Sequence, residues 1–353
     1  MMNSSKPACM FLALFYVVAS EPALVRRLSN QSTSGGKNKT IFTKQKIGLL
    51  LKVEIINYLK KKVLFIINPV AGGKSKAGIP DLIALHIDKN LIEFDITFTN
   101  GVGHANELAM QAIGKYQVIV AVGGDGTVNE VASGIVGSDA VLGIIPVGSG
   151  NGLSRFLSIP MNVEKAIGNL NNERVEVIDA AQVNGNWFFN MAGMGFDAHI
   201  SEVFSHQKNR GFSTYFKSSL QEITSYKPQQ YQINIDGKLY EREAFMLSFA
   251  NSSQYGNNAH VSPNASVQDG LLDVCIIKPF PLYIFPLMGF RMFTKTADKS
   301  PYVEIIRGKH IHIKRSQPGP VHFDGEPHIL GAETEIKVVP HSLKVIVGSS
   351  YKN

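Results

Sequence analysis

VIVAVGGDGT, residues 118–127, decides how this chain is read. Val118-Ile119-Val120-Ala121-Val122 has the length and β-branched content of a strand buried on both faces. It runs without a polar break into Gly123-Gly124-Asp125-Gly126-Thr127, and residues 128–135 follow with helical spacing of apolar positions. A glycine loop between a buried strand and a helix is suited to an anion. Glycine allows close backbone approach and positive φ, and a helix N-terminus directs N–H groups and partial positive charge outward. Asp125 does not suit a loop that only holds phosphate. It suits one bridged by a cation, or one whose carboxylate accepts hydrogen bonds from a nucleotide or from its own loop. A plain turn with Asp125 or Thr127 as N-cap is the bland alternative.

The same alternation extends on both sides. Val63-Leu64-Phe65-Ile66-Ile67 reads as a buried strand stopped by Asn68-Pro69. Residues 81–87 and 105–113 have helical spacing, 94–99 alternate as a strand, and 141–145 form a strand closed by Pro146. Strands alternating with helices imply a doubly wound parallel sheet. A second glycine loop, Gly148-Ser149-Gly150-Asn151-Gly152, follows that last strand. Loops at the carboxyl ends of such strands face one crevice, so Asn68, the Gly124 loop and the Ser149 loop are expected to converge. Gly73-Lys74-Ser75 imitates the end of a Walker A loop, but Asn68 and Pro69 stand where glycine and a free N–H are required. Beyond residue 179 the texture changes. Runs at 183–191, 231–240, 244–250, 271–277 and 309–315 read as strands joined by Gly/Asn/Pro turns, with few helices, which implies an antiparallel sandwich. The expected fold class is therefore α/β: a doubly wound Rossmann-like nucleotide-binding domain followed by an antiparallel β-sandwich domain. The expected boundaries are an N-terminal extension at 1–61, the α/β domain at 62–178 and the sandwich at 179–341, with a last strand at 342–348 returning to the first domain.

Near the C-terminus, Phe323-Asp324-Gly325-Glu326 sets two carboxylates across one glycine. If the chain stays extended, i and i+2 share a face and both enter a cleft, where a carboxylate can take a proton from a hydroxyl. A hairpin turn at Asp-Gly is the competing reading. Asp269-Gly270 reads as another such turn, with Asp273 facing solvent. His104 reads as a helix-start residue.

Taken in order, Asn68-Pro69-Val70-Ala71-Gly72, GGDGT at 123–127 with Asn129-Glu130, and Gly148-Ser149-Gly150-Asn151 resemble the diacylglycerol kinase catalytic-domain family. That group contains bacterial lipid kinases and the related sphingosine and ceramide kinases. The resemblance covers roughly residues 62–348. It implies an ATP-dependent kinase acting on a lipid hydroxyl, with ATP contacts at Asn68, Thr99, Gly124, Asp125, Gly126, Thr127, Asn129, Glu130 and Ser149. It further implies Glu326 as proton acceptor with Asp324 beside it, and Mg²⁺ held by the Asp269 carboxylate and the carbonyls of Ser266 and Leu271. A soluble-substrate kinase of the NAD kinase type, in which GGDGT also occurs, and a non-catalytic nucleotide or lipid sensor are the other function classes. Expected partners are a membrane lipid acceptor and a peripheral membrane surface, with a homodimer left open. The expected localisation is cytoplasmic and membrane-peripheral.

The 353 residues carry a net charge of +7, yet residues 1–62 hold eleven Lys/Arg against Glu21 and Glu54. The rest of the chain is slightly acidic, and no basic stripe with interleaved aromatics points to nucleic acid. Glycine without a period and only two cysteines exclude collagen-like and disulfide-framed classes. The apolar run at 8–19 is short for a bilayer span. With Lys6 and Val18-Ala19-Ser20 it resembles a signal peptide, whereas polar residues 29–40 suit a tail or a mis-assigned start. Residues 41–62 fit either a surface-binding amphipathic helix or a linker. Residues 281–293 (PLYIFPLMGFRMF) fit a core segment, or a lip entering the headgroup region together with Arg210-Gly211-Phe212 and Tyr215-Phe216-Lys217.

Overall fold

The apolar run at 118–122 becomes β3 (Val118–Gly123), which is buried along its whole length. It pairs in parallel with β1 (Lys61–Ile67) on one side and β4 (Val141–Pro146) on the other. The edge strand β2 (Ile92–Phe98) lies beyond β1. The computed structural model describes residues 60–73, 76–172, 174–205 and 221–352. The readings of residues 1–59, of Lys74 and Ser75, and of the 210–217 part of the lip lie outside these.

Helices α1 (Ile79–His86), α2 (His104–Ala112) and α3 (Asp125–Ile135) connect successive strands, and α4 (Gly152–Phe156) and α5 (Val163–Leu170) follow β4. His104 is the first residue of α2, as expected. α3 begins three residues before the apolar spacing indicates, because Val128 N–H already donates to Gly124 O at 3.0 Å. Gly126 and Thr127 therefore belong to its first turn, where backbone N–H groups lack helical partners.

The parallel strands continue into a ten-stranded sheet through β16 (Glu333–Ile346). Lys344 and Val345 pair in parallel with Val141 and Leu142 of β4, while β5 (Val175–Val183) lies antiparallel along β16 with a register shift between Val339 and Leu343. A boundary at 178/179 thus falls within β5. Beyond β16 the sheet adds β13 (His310–Arg315), β8 (Gln229–Ile235) and β9 (Lys238–Ala244), with β6 (Asn186–Phe188) attached to β5. A second sheet has the order β12 (Val303–Gly308), β11 (Leu272–Ile277), β10 (Met246–Ala250), β7 (Met191–Gly195), β14 (Gly319–Phe323) and β15 (Glu326–Leu330). Phe188, Tyr231 and Ile313 of the first sheet share one buried cluster with Phe249, Val274 and Phe323 of the second. That is a sandwich core, built by the inward-facing alternation of both sheets.

Two readings change. The runs at 183–191 and 231–240 are not single strands. Asn184-Gly185 and Asp236-Gly237 adopt positive φ in both residues (47° and 85°; 49° and 87°) and turn the chain back. These are the residue pairs that suit a two-residue hairpin turn, and apolar alternation runs on unbroken through it. Residues 285–293 form a helix, α7 (Phe285–Phe293), preceded by a 3₁₀ turn at Leu282–Ile284. Asp273 is buried rather than solvent-facing, since β11 is flanked on both sides; it pairs with Arg307 Nε at 3.0 Å and accepts from Ser262 Oγ. The ten-residue helix α6 (Phe196–Ser205) follows β7 directly.

Candidate active site

The three expected loops meet. Gly72 has φ +60°, and a β-carbon there would stand 2.1 Å from Val147 O, so only glycine fits. A β-carbon on Gly148 would lie 2.5 Å from Gly124 Cα, which brings the two glycine loops into backbone contact. Asn68 ties the first loop to the second, its Nδ2 donating to Thr127 Oγ1 at 3.0 Å and its Oδ1 accepting from Val70 N at 3.1 Å. Thr99 is buried at the end of β2, its N–H donating to Ile67 O at 2.9 Å. Ser149 stands exposed at the tip of the Gly148 loop.

Asp125 spends its carboxylate on that loop: Oδ2 accepts from Asn151 N and Oδ1 from Gly152 N, both at 2.8 Å. Both donors belong to the second glycine loop, not to the loop that carries Asp125. Burial pushes its pKa up to about 6, against the two backbone donors, and nearby Asp324 adds to the rise. The folded state therefore binds more protons than the unfolded chain between about pH 4 and pH 6, and stability falls as pH rises through that window. A displacement of that size corresponds to about 3 kcal/mol. Urea titrations of Asp125→Asn are expected to show a flatter stability–pH curve there than the parent. Identical slopes would mean that Asp125 titrates as an exposed aspartate.

Asn129 and Glu130 are expected at the nucleotide, but both are taken up by the protein. Glu130 accepts from Gly103 N (2.9 Å) and Ala105 N (3.1 Å), placing its charge at the N-terminus of α2. Asn129 Nδ2 donates to Trp187 O (3.0 Å) and Asp324 Oδ2 (2.9 Å). They position the loops around them.

The two carboxylates of the Asp-Gly-Glu segment part company. Asp324 (φ +47°) and Gly325 (φ +90°) form the turn between β14 and β15, with Phe323 opposite Glu326. The shared-face expectation fails because the chain reverses between them. Asp324 is buried and accepts four hydrogen bonds, from Phe189 N (3.0 Å), Asn190 N (2.9 Å), Met191 N (2.9 Å) and Asn129 Nδ2 (2.9 Å). Its acceptors are thus engaged by the protein itself. Burial nonetheless raises its pKa. Glu326 remains exposed, and among the described residues its carboxylate has no hydrogen bond or ion pair. Its Oε1 would lie 2.8 Å from a β-carbon on Gly126. The carboxylate from the sandwich thus stands over the first turn of α3.

At the expected Mg²⁺ turn, Asp269 Oδ1 accepts from Leu271 N at 3.1 Å and Oδ2 lies 3.7 Å from Arg307 Nη1. Burial raises the Asp269 pKa, with Asp179 and Asp273 adding to the rise. Arg307 faces both Asp269 and Asp273, at 3.7 and 3.0 Å, so the protein itself answers part of this negative charge. Among the described residues no cluster of three or more His, Cys, Asp or Glu side chains is arranged to hold a metal.

Sequence reasoning missed a buried polar group behind the site. Asp197 Oδ2 meets His322 Nε2 at 3.0 Å and accepts from Tyr255 OH at 2.7 Å, and Tyr255 OH also meets Ser248 Oγ. Asp179 is likewise hidden, accepting from Gly270 N (2.7 Å) and His341 N (2.8 Å). His322 carried the one available signal, a polar residue between Val321 and Phe323 at a strand position. Asp197 carried none.

The glycine loops of the parallel half thus face a carboxylate from the sandwich half. Residues 62–183 match the diacylglycerol kinase catalytic domain, and residues 190–347 match the YegS C-terminal NAD kinase beta sandwich-like domain. The chain is 30% identical over 234 residues to a diacylglycerol kinase of Bacillus subtilis, covering 65% of this chain and 77% of that one. It is 29% identical to a "probable lipid kinase YegS-like" protein of Yersinia enterocolitica, covering 68% and 81%. A crystal structure of a diacylglycerol kinase from Bacillus anthracis superposes with a TM-score of 0.65 at 25% identity, covering 83% of this chain and 98% of that one. The chain belongs to the diacylglycerol kinase family, among its YegS-like lipid kinase relatives. No helix among the described residues is long and apolar enough to cross a membrane.

Proposed function

We propose that the chain transfers the γ-phosphoryl group of ATP to a hydroxyl of a membrane lipid, either diacylglycerol-like or sphingoid- or ceramide-like. The observation that carries this reading is Glu326, exposed and without a hydrogen bond or ion pair among the described residues, standing over Gly126 in the first turn of α3. Phosphates seated on the free N–H groups of that turn meet its partial positive charge. Gly72, Gly124 and Gly148 leave backbone close enough to wrap them, with Asn68, Thr99, Thr127 and Ser149 around the rim. Asp125 secures the second loop to the first.

Glu326 then accepts the proton of the acceptor hydroxyl as its oxygen bonds to the γ-phosphorus and ADP leaves. Such transfer depends mostly on positioning and charge stabilisation, which suits a site made of backbone donors and one free carboxylate. A Mg²⁺ held by Asp269 with the Ser266 and Leu271 carbonyls would add to the Arg307 charge facing Asp269. The need for both ATP and a bilayer lipid supports a cytoplasmic, membrane-peripheral enzyme.

The test offers labelled ATP and Mg²⁺ with diacylglycerol, sphingoid bases, ceramide, NAD or no acceptor. Label is expected in a lipid. Label only in NAD phosphate would overturn the lipid reading in favour of a soluble acceptor. Tight ATP binding with no labelled product would make the chain a sensor.

A further inference from the structure

We infer that Asp197, in the first turn of α6, is a positioning residue for phosphoryl transfer: through Tyr255 and His322 it fixes the second glycine loop relative to Glu326. Its carboxylate is a node between two segments of the chain. Oδ2 accepts from Tyr255 OH at 2.7 Å and meets His322 Nε2 at 3.0 Å, and Oδ1 accepts from Ala198 N at 2.8 Å. The carboxylate accepts from both side chains, so Nε2 carries the ring proton. Val321 and Phe323 point into the sandwich core, so His322 between them faces the other side of the second sheet. Gly193 of β7 stands opposite both Ser248 of β10 and His322 of β14. A β-carbon on Gly193 would strike Asp197 Oδ2 and His322 Nε2, so the carboxylate occupies the space that this glycine leaves.

Each partner of Asp197 leads to one side of the reaction. Tyr255 leads to the nucleotide side. Its carbonyl oxygen would lie 2.8 Å from a β-carbon on Gly152, and a β-carbon on Gly256 would lie 2.9 Å from Gly150 O. Asn257 N reaches Gly150 O at 3.4 Å, and Asn190 Nδ2 donates to Gln254 O at 3.1 Å. Residues 254–257 therefore lie backbone against backbone on the second glycine loop, whose Asn151 and Gly152 N–H groups Asp125 binds. His322 leads to the acceptor side. It stands on β14 two residues before Asp324, and the turn that follows presents Glu326. One carboxylate thus ties the strand that delivers the proton acceptor to the loop that backs the phosphate-binding backbone.

A serine, a histidine and an aspartate meet here, yet they form no nucleophilic triad. Ser248 is fully buried and meets Tyr255 OH rather than the ring. Packing alone does not account for the row either. His322 Nδ1 is buried without a hydrogen-bond partner among the described residues, a cost that an apolar side chain at this sheet position would avoid. What the polar link adds to packing is direction, since a hydrogen bond constrains both distance and angle. The reacting atoms need that precision: a misplacement of about 1 Å costs about 10²-fold in rate. The positioning role rests on the lipid kinase reading; the mechanical link from Asp197 to the second glycine loop does not.

Tyr255→Phe in the full chain tests it, because the change removes the hydroxyl and keeps the ring. In the lipid-labelling assay, run where circular dichroism shows each variant folded, kcat should fall about 10–100-fold. The dissociation constant for ATP should stay within about threefold of the parent, the mark of lost alignment rather than lost binding. Asp197→Asn should lower kcat by a similar factor, and the double variant no further than the worse single one, since both break one link. A kcat within about twofold of the parent in Tyr255→Phe, or losses that multiply in the double variant, would overturn the proposal. Hydrogen exchange read by mass spectrometry tests the link without turnover. Amides of residues 147–152 should exchange about tenfold faster in Tyr255→Phe than in the parent, while those of β3 keep the parent rate. Unchanged exchange at 147–152, or equal acceleration in β3, would overturn the proposal whatever the kinetics. If the parent labels no lipid yet exchange at 147–152 rises in the variant, the link stands and the kinase reading falls.

Discussion

Glu326→Gln is expected to lower kcat for lipid phosphorylation by about 10²–10⁴-fold, the usual contribution of a positioned acid–base group. The substitution keeps the shape of the side chain and removes only its ability to take a proton. Because Glu326 is exposed and holds no hydrogen bond or ion pair among the described residues, the fold has nothing to lose. The thermal midpoint should therefore stay where it is. ATP affinity should not fall, because a carboxylate over the first turn of α3 repels phosphate, and the amide relieves that repulsion. The expected signature is lost turnover with intact nucleotide binding, read by a radiolabel assay and by equilibrium titration of ATP. Turnover within a few-fold of the parent would remove Glu326 from the role and leave the hydroxyl to lose its proton to solvent.

The contact between Glu326 and Gly126 explains how much of the site the sequence could carry. Strand ends were legible because a buried strand is a run of β-branched residues and its loop is glycine, both local properties; Val118 to Thr127 needed no knowledge of the fold. Convergence of the loops then follows from a general rule about parallel sheets. What lies around those loops is decided by direction, which composition does not encode. Asn129 lies one turn beyond Gly126 and faces the β14–β15 turn, whereas Glu130 faces the start of α2 and is absorbed there by Gly103 and Ala105. Adjacent residues of one motif thus serve different neighbours. The hairpins at Asn184-Gly185 and Asp236-Gly237 were hidden for a related reason: apolar alternation has the same period on both sides of a two-residue turn. Asp324 fell to the same ambiguity, since an Asp-Gly pair reads equally as an extended cleft edge and as a turn.

Asp324→Ala should be the most damaging single change to stability, costing about 3–5 kcal/mol, since it strands several buried N–H donors at about 1–3 kcal/mol each. Its carboxylate gathers the N–H groups of Phe189, Asn190 and Met191, three consecutive residues leading into β7, and it also holds the Asn129 amide of α3. Alanine leaves those donors without a partner in a buried setting, where each loses its desolvation energy uncompensated. Asp324→Asn should cost less, about 1–3 kcal/mol. Its oxygen can serve two of the donors and no ionised group has to be buried, but its own N–H₂ would face the others. The ordering of Ala below Asn below parent in urea midpoint is the outcome that assigns Asp324 to the framework. Equal midpoints for all three, combined with lost turnover, would instead return Asp324 to the chemistry beside Glu326. The two carboxylates of one three-residue segment are therefore separable by measurement: Glu326 should move the rate and spare the fold, and Asp324 should move the fold first, taking the rate with it because it ties the sandwich to α3.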